Sequence, residues 1–217
     1  MAVAATETLA PNRASVPSAP VDRRVVRTRA ALRRALIQLI EERGLDGFTA
    51  SHLCEQAGLN RGTFYNHCKD KDDLLSQFED QVLAELETFQ AEMGEMSMPV
   101  IALQVARKKP LPFLVSLFDY LRSEADFLHA VLGPGGDPSF GPRLRESVCD
   151  NFVQSILHEK YRENPTPFVG YYVAFFASAY LGIIIRWIET GMVESSEEMA
   201  LIAQRLLFIK PGESIQL

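Results

Sequence analysis

Between Thr49 and Lys71 the chain reads TASHLCEQAGLNRGTFYNHCKDK, and its hydrogen-bonding side chains suit the surface of a nucleic-acid duplex. Arg61, Tyr65, His67, Lys69 and Lys71 can hold phosphate oxygens. Asn66 can bond an adenine edge through both ends of its amide, and Thr63 can touch a thymine methyl or a phosphate. Gly62 presents backbone with no side chain, where a helix can lie close against a groove. For Asn66 and Thr63, direct base reading and a phosphate contact are equally open. Thr49, at the front of the segment, is grouped with these contact residues and is also a candidate helix cap.

Two short helices joined by a tight turn are needed to present those groups together. Thr49 suits the N-cap of a first helix, on which Leu53, Cys54 and Ala57 share a face. Gly58 can take the left-handed conformation that turns the chain sharply. Asn60 caps a second helix, where Phe64 and Cys68, four residues apart, face inward and leave Gly62 and Asn66 pointing away from the core.

The run from Thr49 to Leu75, with its helix, Ala57-Gly58-Leu59 turn, Phe-Tyr-Asn-His segment and lysine-flanked end, resembles the DNA-binding segment of the TetR family of bacterial transcriptional regulators. The chain departs from that pattern at Cys68, where the family usually has Phe. The resemblance implies a homodimer built by the last two long helices and a palindromic site on double-stranded DNA. It also implies a small molecule in the helical body that shifts the spacing of the two recognition helices and releases DNA. Such a ligand acts only by binding the two spacings with different affinity.

Charge distribution agrees with a DNA-facing end. The 217 residues carry a formal net charge of −6, but residues 23–71 hold ten Lys or Arg against five acids, a net +5, which leaves −11 for the rest. A basic end and an acidic body orient a molecule approaching phosphate. With 47% hydrophobic residues the chain is globular and long enough for one small and one medium domain. The reading is all-α: a disordered tail over 1–22, a three-helix helix-turn-helix domain over 23–71, and a larger helical ligand-binding and dimerisation domain over 72–217. The tail, rich in Ala, Pro and Ser, has no apolar run long enough for a signal peptide.

Cys54, Cys68 and Cys149 have neither metal-like spacing nor an even count, which points to a reducing cytoplasm and small core thiols. Sensing through Cys68 is the alternative, because His67 and Lys69 beside it can lower a thiol pKa; a regulator answering to thiol oxidation or to a protein partner then replaces one answering to a small molecule. No Ser-His-Asp set, carboxylate pair or metal-ligand spacing stands out, so neither an enzyme, a metal nor a cofactor is expected. His129 and His158 have no ligand-like spacing.

Along the chain, Leu32, Leu36, Leu39 and Ile40 stripe a first helix over about 21–43, ended by Gly44, with Phe48 closing the small core. Asp70 caps a long helix whose apolar stripe is Leu74, Leu75, Phe78, Val82, Leu83 and Leu86. Helices over about 100–108, 112–122, 124–132, 143–163 and 195–209 follow, the last capped by Ser195 or Ser196. LGPGGDPSFGP, residues 132–142, lacks the Gly-Lys-Ser/Thr ending of a phosphate loop and follows no predicted strand, so a plain loop is expected.

FVGYYVAFFASAYLGIII, residues 168–185, has no charged side chain over 18 positions, the lower limit for a membrane span. Its polar residues Tyr171, Tyr172, Ser178 and Tyr180 are scattered through it rather than set at its ends. A helix with one face in the core and another against a partner subunit is expected instead, and no membrane. Residues 178–207 also resemble the C-terminal domain of the TetR subfamily that includes dihydroxyacetone-kinase regulators, through Gly182, Trp187, Gly191 and the Ser-Ser-Glu-Glu start of the last helix. Phe113, Phe118, Tyr120, Phe127, His129, Phe152, Tyr172, Phe176 and Trp187 are the candidate lining of an apolar cavity for a small hydrophobic ligand, though residues of these types are more often plain core.

Overall fold

The computed structural model describes residues 23–95, 97–156 and 166–207. The stretch 1–22, read above as a tail, and His158 lie outside them. The described residues form ten α-helices and one 3-10 turn, with no strand among them. The N-terminal part is α1 (Arg23–Arg43), the turn Leu45–Gly47, α2 (Ala50–Ala57) and α3 (Arg61–Tyr65). The body is α4 (Lys71–Glu95), α5 (Met98–Ala106), α6 (Pro112–Ser123), α7 (Ala125–Leu132), α8 (Phe140–Ile156), α9 (Pro167–Glu189) and α10 (Ser196–Leu207).

The caps lie where polar residues precede apolar periodicity. Asp70 Oδ1 accepts from Asp73 N–H at 2.8 Å, and the Asp73 carboxylate accepts from Lys69 N–H at 2.7 Å, which fixes the entry to α4. Ser195, not Ser196, caps α10: its hydroxyl accepts from Glu198 N–H at 3.2 Å, while Glu198 accepts from Ser195 N–H at 2.7 Å. These bonds hold the Glu198 carboxyl below its ordinary range. The eighth helix starts at Phe140, three residues earlier than expected. Pro142 falls in its first turn, where a missing N–H breaks no bond.

A continuous apolar core runs through both parts. Leu32, Leu36, Leu39 and Ile40 of α1 are buried, as are Leu74, Leu75, Phe78, Val82 and Leu86 of α4. Phe78 stands where the parts meet: Arg29 and Arg33 lie over its ring at 5.2 and 5.7 Å, and Phe127 of α7 meets it edge-on at 6.2 Å. In the body α4 packs on α6 and α8, α6 on α10, and α9 on α7 and α8. Buried Gln204 of α10 ties the start of α6, accepting from Leu111 N–H at 3.0 Å and donating to the Lys109 carbonyl at 3.2 Å.

Candidate nucleic-acid interface

The turn between α2 and α3 is built from backbone bonds that glycine permits. Gly58 is left-handed (φ 65°), its N–H reaches the Glu55 carbonyl at 3.1 Å, and Leu59 N–H reaches the Cys54 carbonyl at 2.8 Å. This Schellman pairing closes α2 and aims the chain into α3. Asn60 then caps α3, its Oδ1 accepting from Thr63 N–H at 2.7 Å. Thr49 occupies the N-cap of α2, and His52 adds a bond that spacing alone did not suggest, its Nδ1 accepting from Thr49 N–H at 3.2 Å.

Phe64 and Cys68 are buried, so α3 turns its other side to solvent. Arg61, Gly62, Asn66 and Lys69 are exposed there, with Tyr65 at 58% and Thr49 exposed at the start of α2; Thr63 and His67 are half-buried. Gly62 needs no glycine for internal reasons: a Cβ at that position would meet only Asn60 Oδ1, at 3.5 Å, an ordinary contact. Alanine is the better helix former, so the fold itself gives no reason for glycine here.

Part of the basic charge is spent internally. Arg29 Nη1 donates to Gln77 Oε1 at 3.0 Å, and Gln77 Nε2 donates to the His67 carbonyl at 3.1 Å, so Gln77 pins the end of α3 between α1 and α4. Lys71, expected to hold phosphate, turns its amine to the Leu45 carbonyl at 2.6 Å, over the Phe48 ring. Arg33 grips Glu124, at the joint of α6 and α7, through both terminal nitrogens, and stacks over Phe127 at 4.9 Å. Arg23, Arg27, Arg34, Arg43, Arg61 and Lys69 remain on the exposed surface.

The thiols behave opposite to the activation considered for Cys68. Burial, followed by the charges of Asp73 and Asp70, pushes the Cys68 thiol up to about 11, and burial also raises Cys54. Cys68 Sγ points to the Phe64 carbonyl at 3.6 Å.

The candidate ligand residues whose side chains are described stand in different surroundings. Phe118 and Trp187 pack edge-on at 5.4 Å in the core, where Trp187 Nε1 donates to the Glu194 carbonyl at 3.1 Å. Phe127 is core between Phe78 and Phe140. Tyr120 stacks on Phe89 at 5.6 Å, Phe113 is half-buried, and Tyr172 and Phe176 pair at 4.5 Å on α9. His129 is on the outer surface, 3.4 Å from Glu41 of α1. Phe152 lies outside the residues whose side chains are described. A cleft of about 230 Å³ opens at the junction between Arg33 and Arg34 of α1 and the Ser123–Phe127 segment, and of the candidates Phe127 lines it. Among the described residues no group of three His, Cys, Asp or Glu gathers to hold a metal.

Two family models match the chain: bacterial regulatory proteins of the tetR family over residues 32–78, and a transcriptional regulator C-terminal region over 108–208. The HTH-type transcriptional regulator YxbF of Bacillus subtilis (strain 168) is 37% identical over 67 residues. That match takes in 30% of this chain and spans only 18% of the relative's length. Among solved structures, the dihydroxyacetone kinase operon activator DhaS aligns over 84% of this chain and 98% of its own, with TM-score 0.52 at 18% identity. The fatty acid degradation regulator FadR of Bacillus halodurans aligns over 83% and 94%, with TM-score 0.59 at 15% identity. At these identities the shared property is the fold.

Proposed function

We propose, from the premise that this chain belongs to the TetR family of bacterial regulatory proteins, that it is a dimeric repressor which leaves a palindromic operator when a small hydrophobic molecule binds its body. The family is one of transcriptional regulators rather than enzymes. The observation that carries the reading is the outward face of α3, where Arg61, Gly62, Tyr65 and Asn66 are exposed around buried Phe64. In this reading residues 23–71 bind DNA, with Thr49, Thr63, His67 and Lys69 joining the α3 face, and residues 72–217 dimerise and take the ligand. The protein works in the cytoplasm, where the operator is.

Dimerisation follows from the DNA geometry. Two recognition helices enter successive major grooves only when held about 34–36 Å apart. Helix α9 is long and apolar enough, by length and composition, to cross a membrane, and about a fifth of its most apolar window is buried (22%). We read its exposed side as covered by a second copy. Phe168, Tyr171 and Phe175 stand out at its start, and Ser178, Ala179 and Gly182 continue the same side with small residues. In a two-fold pair the rings of one copy can lie on the small residues of the other. Helix α10 completes the interface.

The thiol-responsive alternative is disfavoured by the burial and raised pKa of Cys54 and Cys68, since the thiolate is the reactive form. Footprinting on the DNA around the chain's own gene, at physiological salt with nonspecific competitor, tests the main reading. A protected palindrome that disappears with an added hydrophobic effector supports it. A folded dimer that protects no site, with or without candidate effectors, overturns it. DhaS is an activator, so transcription from the protected promoter reads the sign of control.

A further inference from the structure

The glycine-rich segment between α7 and α8, a plain connection by sequence, is in the fold a contact between the body and the DNA-facing end. The Gly135 carbonyl accepts Leu45 N–H at 2.7 Å, and the Leu45 carbonyl accepts Lys71 Nζ at 2.6 Å. A single residue ahead of α2 is thus held from both sides, by a body loop on its N–H and by the first residue of α4 on its carbonyl. Leu45 opens the 3-10 turn, and the turn leads through buried Phe48 to Thr49, the N-cap of α2.

The loop is shaped for this approach by its own backbone. Gly133 N–H reaches the His129 carbonyl at 3.1 Å, Gly136 N–H the Gly133 carbonyl at 3.0 Å, and Asp137 N–H the Val131 carbonyl at 3.0 Å. The Asp137 carboxylate then accepts from Ser139 N–H and Oγ, each at 2.8 Å. Glycine is needed at the point of contact. A Cβ on Gly135 would stand 3.1 Å from Gly44 Cα and 3.4 Å from the Ile40 carbonyl oxygen, and one on Gly136 would overlap the Val131 carbonyl. Backbone therefore meets backbone, with no flexible side chain between the two parts.

Helix α7 accompanies α1 up to this point. Glu124, at its start, takes both terminal nitrogens of Arg33, and His129 stands 3.4 Å from Glu41. Those two contacts end on α1. The loop contact alone of the three reaches past α1, to the segment that enters the helix-turn-helix.

We propose, building on the DNA-binding reading above, that Gly135 is a positioning residue for operator binding: through its carbonyl the body sets where Leu45, and with it α2 and α3, stands. In a dimer this fixes the separation of the two recognition helices. A duplex offers its half-sites at a set distance, so a helix pair held at one spacing discriminates between operators that differ by one base pair between the half-sites. Freeing the joint lets the pair adapt, and the discrimination shrinks. Gly135 acts through Leu45 and not by contact with DNA.

In hydrogen exchange on the full-length chain, without DNA, Gly135→Ala should lower protection at the Leu45 amide about five- to tenfold while Leu128 inside α7 keeps its own. Leu45→Pro removes the donor outright and serves if the first variant does not fold. Proline suits the first residue of a 3-10 turn, and Gly44, with ψ 162°, already has the extended conformation that precedes proline. Leu45→Ala, which loses the same side chain but keeps the N–H, is the control. Offered the footprinted operator and a copy with one base pair inserted between its half-sites, wild type should prefer the first by about tenfold or more. Gly135→Ala and Leu45→Pro should lose most of that preference and Leu45→Ala should keep it, with the salt dependence of binding unchanged throughout because no phosphate ligand is removed. Variants that lose affinity for both operators equally are merely destabilised, and that result overturns the proposal. So does a Leu45 amide as protected in Gly135→Ala as in wild type. A wild type that binds no operator overturns the DNA-binding reading and the positioning role with it, while exchange at Leu45 still reports whether the loop is seated.

Discussion

Helices α3 and α9 both hold large side chains in water, and they do so with opposite chemistry. On α3 the outward groups are Arg61, Tyr65 and Asn66, all with polar ends. On α9 they are Phe168, Tyr171 and Phe175, at 73, 79 and 67% exposure, while Val169, Val173 and Ala177 are buried on the opposite side. A face of polar ends keeps its water, so the α3 face can be presented continuously by a lone molecule. A row of rings in water forgoes about 25 cal/mol per Å² of apolar surface, and in the proposal above a second copy covers it. The two surfaces therefore point to different partners: one that comes and goes, and one that stays.

Charging the α9 face breaks that contrast with the largest expected effect. Phe175→Asp should convert a dimer to monomers in sedimentation and lower operator affinity by about 100- to 10,000-fold, since each half-site must then be bound alone. A Phe175→Asp protein that remains a full dimer would sink the reading of α9 as an interface. Within α3 the inner and outer faces should separate. Phe64→Ala should cost about 3–5 kcal/mol of stability in urea unfolding, from an enclosed ring with no room to collapse. Tyr65→Ala, one residue on, should change stability by less than about 0.5 kcal/mol while weakening binding to every DNA sequence. Asn66→Ala should lose about 1–3 kcal/mol on cognate DNA alone if its amide reads a base; equal losses on scrambled DNA assign it to the backbone.

The faces of α3 were legible because they depend on local spacing: Phe64 and Cys68 four apart decide which way Gly62 and Asn66 point, and Asn60 and Asp70 are caps by type and place. What was not legible joins residues far apart in the chain. Arg33 reads as one more surface charge until Glu124, 91 positions away, closes on it. Lys71 reads as a phosphate ligand, yet the turn at Leu45 brings a carbonyl within its reach. Cys68 looks activated beside His67 and Lys69, but burial and two aspartates act on its thiol more strongly than any lysine at the surface. Aromatic composition also cannot separate a cavity wall from a filled core. Phe118 and Trp187 are locked against each other, and His129 faces outward to Glu41. The glycines at 133–136 were correctly read as loop, but their close approach to Gly44 is tertiary information.

The smallest predicted change is the sharpest test of what α3 is for. Gly62→Ala adds one methyl group where the nearest atom, Asn60 Oδ1, is 3.5 Å away, and it replaces the second-worst helix former with the best. Judged by the fold alone, the variant should be as stable as wild type or more stable by about 0.5–1 kcal/mol. Judged by the groove, the same methyl stands between helix backbone and DNA, so operator affinity should fall while the melting temperature holds or rises. A rise in stability with unchanged affinity would mean that DNA does not approach α3 at Gly62, and the outward face would have to be re-centred on Tyr65 and Asn66. Loss of stability would place the reason for this glycine inside the protein, against the open space seen around it.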